Sequence, residues 1–573
     1  MVFRYGREVQ SAGTARMLEF LIATHRAYCS STLAGNTRKY HGLFVRDRQV
    51  LLAGLDEKVN GIQLSAQQYR NAANESGLAY LAAFSAYPPT WTYWIGDCIL
   101  KKTITFDGDL VIGYDITGEV DLWVRPLVTD RTIDGVMKNP APTIVQGTDG
   151  FRWSGLNFNG NLSYRVDPVA YLNVWYQREF ERGYEPEEDL CSPGVFAGRV
   201  RDTTVTFRCT GTTNRLSQPP RPPVQKEIFG WLDWAAAAFC QEDEIFAGYH
   251  WFCESWGRDC AISIPGLLIE RGKKDEVCAV LRRLAGQRND GLIPNRVPDN
   301  YHSSDASLWF VYALGRYRRR WGEDTFIEEM KPVIENILME YPTSPVASLD
   351  RNLITVTPGS TWMDTAFTPR NGKPVEVNAL WIHSLDEAED LGIPVPTSPV
   401  SARREFQRFW NKETGCLSDL IDPEDHSIRP NQVIAIALGM TGQDQAKAAL
   451  ETISHKLLTP YGLRSLSPDD PKYLGHYDGD ASYHNGCVWP WLTGFYCEAL
   501  LKNGISRQQV ASLLVPIMHH AREAGIGYIS EIFDGNAPFF PRGCVAQAWS
   551  VAEIARAFRM SGEAIDSVTL TKD

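Results

Sequence analysis

Leu216 to Val224 reads LSQPPRPPV, and four of its nine residues are proline. Fixed φ angles and missing N–H donors keep such a run out of helices and central strands. It reads as a linker over 216–224, and the apolar pattern changes across it. On the amino-terminal side, TWTYWIGDCILKKTITF (Thr90 to Phe106), DLVIGYDITG (Asp109 to Gly118), LAYLAAF (Leu78 to Phe84) and TVTFRC (Thr204 to Cys209) mix β-branched and aromatic residues. That is the composition of strands, and Asp107-Gly108 and Thr210-Gly211 supply turn signals. The pattern predicts an antiparallel β-sandwich over residues 1–215. On the carboxy-terminal side the spacing becomes helical, with about twelve runs between 225 and 561. Strongly apolar runs such as ISIPGLLI (Ile262 to Ile269) and VWPWLTGFYCEALL (Val488 to Leu501) alternate with amphipathic ones such as KDEVCAVLRRLAGQ (Lys274 to Gln287). Inner helices of a closed double ring are buried on most sides and outer helices on one. An all-α (α/α)6 toroid over residues 225–573 is therefore expected.

A chain of 573 residues exceeds what one core organises, which agrees with two domains. The net charge is −12, and no Lys/Arg run is long enough to follow a phosphate backbone, so nucleic acid is excluded as a partner. MVFRYGREVQ (Met1 to Gln10) is not a secretory signal, and no uncharged apolar stretch is long enough for a bilayer, so a soluble cytoplasmic protein without a membrane partner is expected. The twelve cysteines form no CxxC pair and the eleven histidines no HExxH motif, which predicts reduced thiols, no metal site and no cofactor.

Aromatics make up 11% of the chain and gather beside acids. YHWFCESWGRDCAISIPG (Tyr249 to Gly266), STWMD (Ser360 to Asp364), YHNGCVWPW (Tyr483 to Trp491) and SEIFDG (Ser530 to Gly535) are four such clusters, each beside a helix end. Ring faces next to carboxyls suit a polyhydroxylated ligand, and the clusters point to a carbohydrate cleft. Cleaving a glycosidic bond takes one carboxylic acid to protonate the leaving oxygen and a second to activate water or to attack. Asp364, beside Trp362 after a Pro358-Gly359 turn, suits the acid, since partial desolvation raises a carboxyl pKa. Glu531, flanked by Tyr528 and Phe533 in a short extended segment, suits the second role, whereas Asp534 before Gly535 reads as a turn residue. Asp259 opens a helix, where it either caps or holds hydroxyls, and Arg258 beside it could grip a carboxylate or a diol.

These clusters, with GLIPNRVPD and SSDASLWF (Gly291 to Phe310) and TPRNGKPVEVNALW (Thr368 to Trp381), resemble the amylo-α-1,6-glucosidase family of glycogen debranching enzymes. STLAGNTRKYHGLFV (Ser31 to Val45) is similar to that family's leading domain. The resemblance implies a β-sandwich joined to an (α/α)6 domain that removes α-1,6-linked glucosyl stubs from branched α-glucan with inversion. It implies Asp364 as general acid. Where the eukaryotic enzymes carry a glutamate in the motif similar to YHNGCVWPW, this chain has Cys487 and Val488. Glu531 is then the base, by likeness to an SE motif in related toroid glycosidases, with Asp478 or Asp480 next in line. Trp251, Trp256, Trp362 and Trp489 are candidates for stacking on sugar. Tyr249, Asn295, Arg296, Asp305, Glu376 and His484 are candidates for bonding hydroxyls, as are Arg38 and His41 if their loop reaches the toroid mouth. No (β/α)8 segment is present, so a separate glucanotransferase or phosphorylase would have to shorten the branches first. A phosphate-dependent glycoside phosphorylase and an inactive glucan-binding protein are the alternatives.

Overall fold

The computed structural model describes residues 1–24, 26–73, 76–140, 143–211 and 228–562, so the proline-rich tract 216–224 lies outside the described residues. Two compact units emerge, one of Met1–Gln241 with Ala521–Gly527, the other of Glu242–His520 with the chain from Tyr528 on.

The first unit is antiparallel β structure organised by two long strands, Leu110–Thr132 and Glu187–Gly211. They pair with each other from Leu110↔Cys209 to Val128↔Cys191, with register shifts after Ile116 and Val124. The other edge of Leu110–Thr132 pairs first with Cys98–Phe106 and then, beyond Leu122, with Gln49–Val59. One strand thus changes partner along one edge while keeping the same partner along the other, and the strands join into a closed system where the sequence suggested a plain sandwich. A register shift adds local twist, which lets a long strand make that change. Asp107-Gly108 does turn the chain into Leu110, but Thr210 and Gly211 pair with Asn157 and Leu156 as the end of a strand. LAYLAAF divides into a 3₁₀ turn ending at Tyr80 and the strand Leu81–Ala86. The helix Ile228–Ala237 and the segment Ala521–Gly527 belong to this unit, where Trp231 Nε1 donates to Gly527 O at 2.7 Å.

In the second unit six helices touch in cyclic order: Gly257–Ile264, Ala306–Trp321, Val375–Asp390, Gln432–Ala437, Leu492–Lys502 and Ala548–Ser561, the last returning to the first. Every residue of Gly257–Ile264 and nearly every residue of Ala548–Ser561 is buried. The helices between them in sequence, such as Lys274–Gly286, Thr325–Glu340 and Gln443–Lys456, bury one face only. The first kind is buried on nearly all sides, with polar residues such as Arg258 and Glu553 included, and an apolar stripe makes the second. Trp256, Asp305, Asn431, Trp491 and Gln547 each stand at the N-terminal boundary of a ring helix. The sequence clusters therefore meet at one end of the ring, where the helix dipoles favour negative charge. Among the described residues no helix is long and apolar enough to cross a membrane.

Candidate active site

Asp364 lies on the loop between the strands Leu353–Val356 and Lys373–Pro374. The residues before it are fixed from below. Trp362 Nε1 donates to Asn431 Oδ1 at 2.8 Å, and Asn431 Nδ2 donates to Asp419 Oδ1 at 2.7 Å. Arg370 ties Asp419 (2.8 Å), Glu376 (2.8 Å) and Thr361 Oγ1 (3.2 Å) together. Arg258 Nη2 donates to Ser360 O at 3.2 Å, while its Nη1 stands 3.7 Å from the Asp364 carboxylate. The Asp364 side chain stays 39% exposed, so it is reachable although protein surrounds it. Burial raises its pKa, Arg258 opposes the rise, and the charges of Asp305 and Asp480 add to it. An accessible carboxyl with a raised pKa is what a proton donor near neutral pH requires.

Glu531 is 2% exposed and precedes the short strand Ile532–Phe533. Its Oε2 accepts the Cys544 amide at 2.8 Å, and its Oε1 accepts the Tyr483 hydroxyl. Gly543 makes the first contact possible: its φ is +64°, and a Cβ there would collide with Glu531 Oε2. Burial, then the charges of Glu531 and Asp364, push the Tyr483 hydroxyl well above its ordinary pKa, so it remains a donor. Tyr483 thus senses both acids.

Asp259 senses both as well. It sits in the first turn of Gly257–Ile264 and accepts Gln547 Nε2 at 3.3 Å. Burial raises its pKa to about 7, Arg258 pulls it down, and Glu531 and Asp364 push it up. A carboxyl whose folded pKa lies above its ordinary 3.8 contributes stability that is present below that value and is lost as pH rises through about 7. Asp259→Asn, neutral at all pH, should therefore gain steadily on the wild type in thermal melts as pH rises from about 4 to about 7, with the full difference reached near pH 8. Parallel melting curves for the two proteins across that range would remove Asp259 as the titrating group.

The remaining expected residues divide by burial. Trp362 and Trp489 are 2% and 1% exposed and pack edge to face at 5.1 Å, so neither offers an open face to a sugar. His484, stacked 5.5 Å from Trp489, is fully buried, and neither ring nitrogen has a partner among the described residues. Burial and then Arg429 hold it far below its ordinary pKa, hence neutral. Asp305 is completely buried and serves Arg258 Nε at 2.7 Å, and Glu376 is buried against Arg370. Both are counter-ions in place of the expected hydroxyl ligands. Tyr249 is buried in the strand pair that also holds Gln547, and Asn295 Oδ1 is buried with no partner among the described residues. Trp251 and Trp256 keep partial exposure, Trp256 lying against Phe252 at 5.6 Å and under Arg296 at 5.9 Å. Arg296 is exposed and paired with Glu254 at 3.0 Å. Arg38 and His41 belong to the β-rich unit, where both meet the Glu19 carboxylate at 3.0 Å. Cys487 and Val488 are fully buried, and burial pushes the Cys487 thiol up to about 12. Asp478 and Asp480 are exposed, and Asp480 adds to the field at Asp364. Sequence reasoning passed over Tyr483, Gln547 and the Arg370–Asp419–Asn431 chain. Tyr483 was visible as the first residue of YHNGCVWPW.

The amylo-alpha-1,6-glucosidase family model matches residues 235–556, which contain every one of these ring-end residues. The chain belongs to the amylo-alpha-1,6-glucosidase family. A second family model, glycogen debranching enzyme N terminal, matches residues 19–205. The glycogen debranching enzyme of Saccharomyces cerevisiae (strain ATCC 204508 / S288c) is 24% identical over a match covering 43% of this chain and 24% of that protein. This member of the family therefore spans about a quarter of the curated relative it matches. Among solved structures, a rhamnosidase from Klebsiella oxytoca is 13% identical with a TM-score of 0.48, covering 88% of this chain and 96% of that one. A GH63 mannosylglycerate hydrolase from Thermus thermophilus is 14% identical with a TM-score of 0.44, covering 57% and 100%.

Proposed function

We propose that the chain is a glycoside hydrolase that removes α-1,6-linked glucosyl stubs at the branch points of a glycogen-type glucan, with Asp364 as general acid and Glu531 as general base. The observation that carries this reading is the pairing of an accessible carboxyl of raised pKa with a second one held by Tyr483 and the Cys544 amide. Acid and base then differ by environment, one able to carry a proton and the other braced by donors that favour its ionised form. Family membership supports the substrate class. The six helices in cyclic contact are read as the inner ring of an (α/α)6 toroid formed by residues 225–573, with residues 1–215 as a β-sandwich-type partner domain. Arg258 and Asp259 then lie beside the reacting sugar, and the partly exposed Trp251, Trp256 and Arg296 lie farther out. In this reading the enzyme acts on stubs shortened beforehand by a separate transferase or phosphorylase.

Inversion follows if water stands between the sugar and Glu531, which takes a carboxyl separation of roughly 6.5 to 9.5 Å. The first product should be β-glucose, read by proton NMR at an early time point on a singly branched oligosaccharide. α-Glucose as first product overturns the acid/base assignment. Glucose release should also be independent of phosphate, whereas a phosphorylase would need it and would have no use for a braced base.

A further inference from the structure

The β-rich unit contains a half-open cavity of about 80 Å³ that the catalytic reading does not use. Its lining includes Trp91, Tyr93, Lys102, Glu57, Asn36 and Gln67. The STLAGNTRKYHGLFV motif supplies part of the wall, from Ser31 to Asn36 and at Leu43. Gly35 (φ +90°) permits this, because a Cβ there would collide with Ala66 O on the facing segment.

Glu57, Lys102 and Tyr93 are buried and Asn36 and Gln67 half-buried, and the bonding of these groups to the protein is incomplete. Lys102 Nζ donates to Glu57 Oε2 at 2.8 Å and stands 5.2 Å over the Trp91 ring, while Glu57 Oε1 accepts the Tyr114 hydroxyl. An ammonium has three N–H donors, and no other acceptor for this one occurs among the described residues. Tyr93, 5% exposed, has no partner for its hydroxyl among the described residues. Burial and then the Glu57 charge push the Tyr93 pKa up, so the hydroxyl stays neutral, able both to donate and to accept. Gln67 Nε2 is held by Leu55 O at 3.3 Å, and its side-chain oxygen has no partner among the described residues. Polar atoms that face a cavity in this way keep bonding capacity that a ligand or water can complete.

We propose that this cavity is a binding site for a neutral polyol, taking two adjacent hydroxyls of one molecule. The Lys102–Glu57 pair is already charge-neutral, so an anion or cation gains little there. Adjacent hydroxyls match a free ammonium N–H, the Tyr93 hydroxyl and the Gln67 oxygen, and the carbons between them match the indole edge. The volume equals about two or three waters, which is room for such a diol edge while the rest of the molecule extends through the open side. Glycerol-type solutes and the terminal sugar of a glucan share this chemistry. The cavity belongs to a different unit from Asp364 and Glu531, so it stands or falls independently of the catalytic reading.

Hydrogen-exchange mass spectrometry of the full chain with glycerol, glucose and maltotriose at millimolar concentration tests the site. Peptides covering residues 28–36, 62–69 and 89–102 should gain protection, read separately from peptides 359–365 and 526–547 of the candidate active site. Protection by all three probes makes the site a general polyol site, and protection by the two sugars alone makes it a glucan-end site. No protection of the cavity peptides by any probe overturns the proposal, leaving a cavity filled by water. Tyr93→Phe removes a hydroxyl that has no protein partner, so its melting temperature should match the wild type while the half-saturating concentration rises about tenfold. Gln67→Leu should raise it as well, and unchanged affinity in both variants overturns the site.

Discussion

Asp364→Asn should lower turnover on a singly branched α-1,6 glucan by about 10²-fold or more, the scale of a missing general acid. The amide matches the carboxyl in shape, so the Trp362–Asn431–Asp419 support under the loop stays as it is. What is lost is the proton, because an amide cannot deliver one to the leaving oxygen. Arg258 is left without the charge 3.7 Å away, but Asp305 at 2.7 Å still neutralises it, so local folding should hold. Glucan binding measured by calorimetry should persist while kcat falls, since the interaction removed belongs to the transition state. Retention of more than about a tenth of wild-type turnover would refute the assignment. A parallel loss of binding would instead assign Asp364 to holding the sugar.

The sequence was most legible where burial is periodic. The apolar runs ISIPGLLI and VWPWLTGFYCEALL fall on segments buried on nearly all sides, and their pattern distinguishes them from one-faced helices such as Lys274–Gly286. The passage of Leu110–Thr132 between pairing partners was not legible, because alternation along a strand says which face is buried and nothing about who sits at the edge. The same limit governs the site. Asp364 and Glu531 stood out as acids in aromatic company, but an acid that meets sugar and an acid that neutralises a buried arginine look alike in one dimension. Glu376 and Asp305 are the second kind: Arg258 reaches Asp305 from 47 positions away, and Arg370, only six positions from Glu376, meets it through a turn that the sequence does not spell out. Trp362 and Trp489 read as platforms for a sugar, yet each fills the aromatic layer under the loops, since large rings serve the core as readily as a ligand. Tyr483 was missed for the opposite reason: a tyrosine has no charge to attract notice, and its value comes from the carboxylate placed against it by a segment 48 positions away.

Glu531→Gln should be nearly inactive on branched glucan and should recover turnover when azide is supplied with an activated glucosyl substrate. Azide is already a nucleophile and needs no base to deprotonate it, so it replaces what the lost carboxylate did to water. The substitution is mild in shape. A glutamine can still accept the Cys544 amide through its oxygen, provided its nitrogen turns toward Tyr483, whose hydroxyl can accept as well as donate. Gly543 leaves the same room for either side chain. Asp364→Asn, by contrast, should gain nothing from azide on substrates with poor leaving groups, because the step it blocks is protonation. Near-normal kinetics of Glu531→Gln would move the base elsewhere, and the carboxyl to examine next would be Asp259. It lies in the field of both Glu531 and Asp364, and with a pKa of about 7 it already titrates in the range where a base must work.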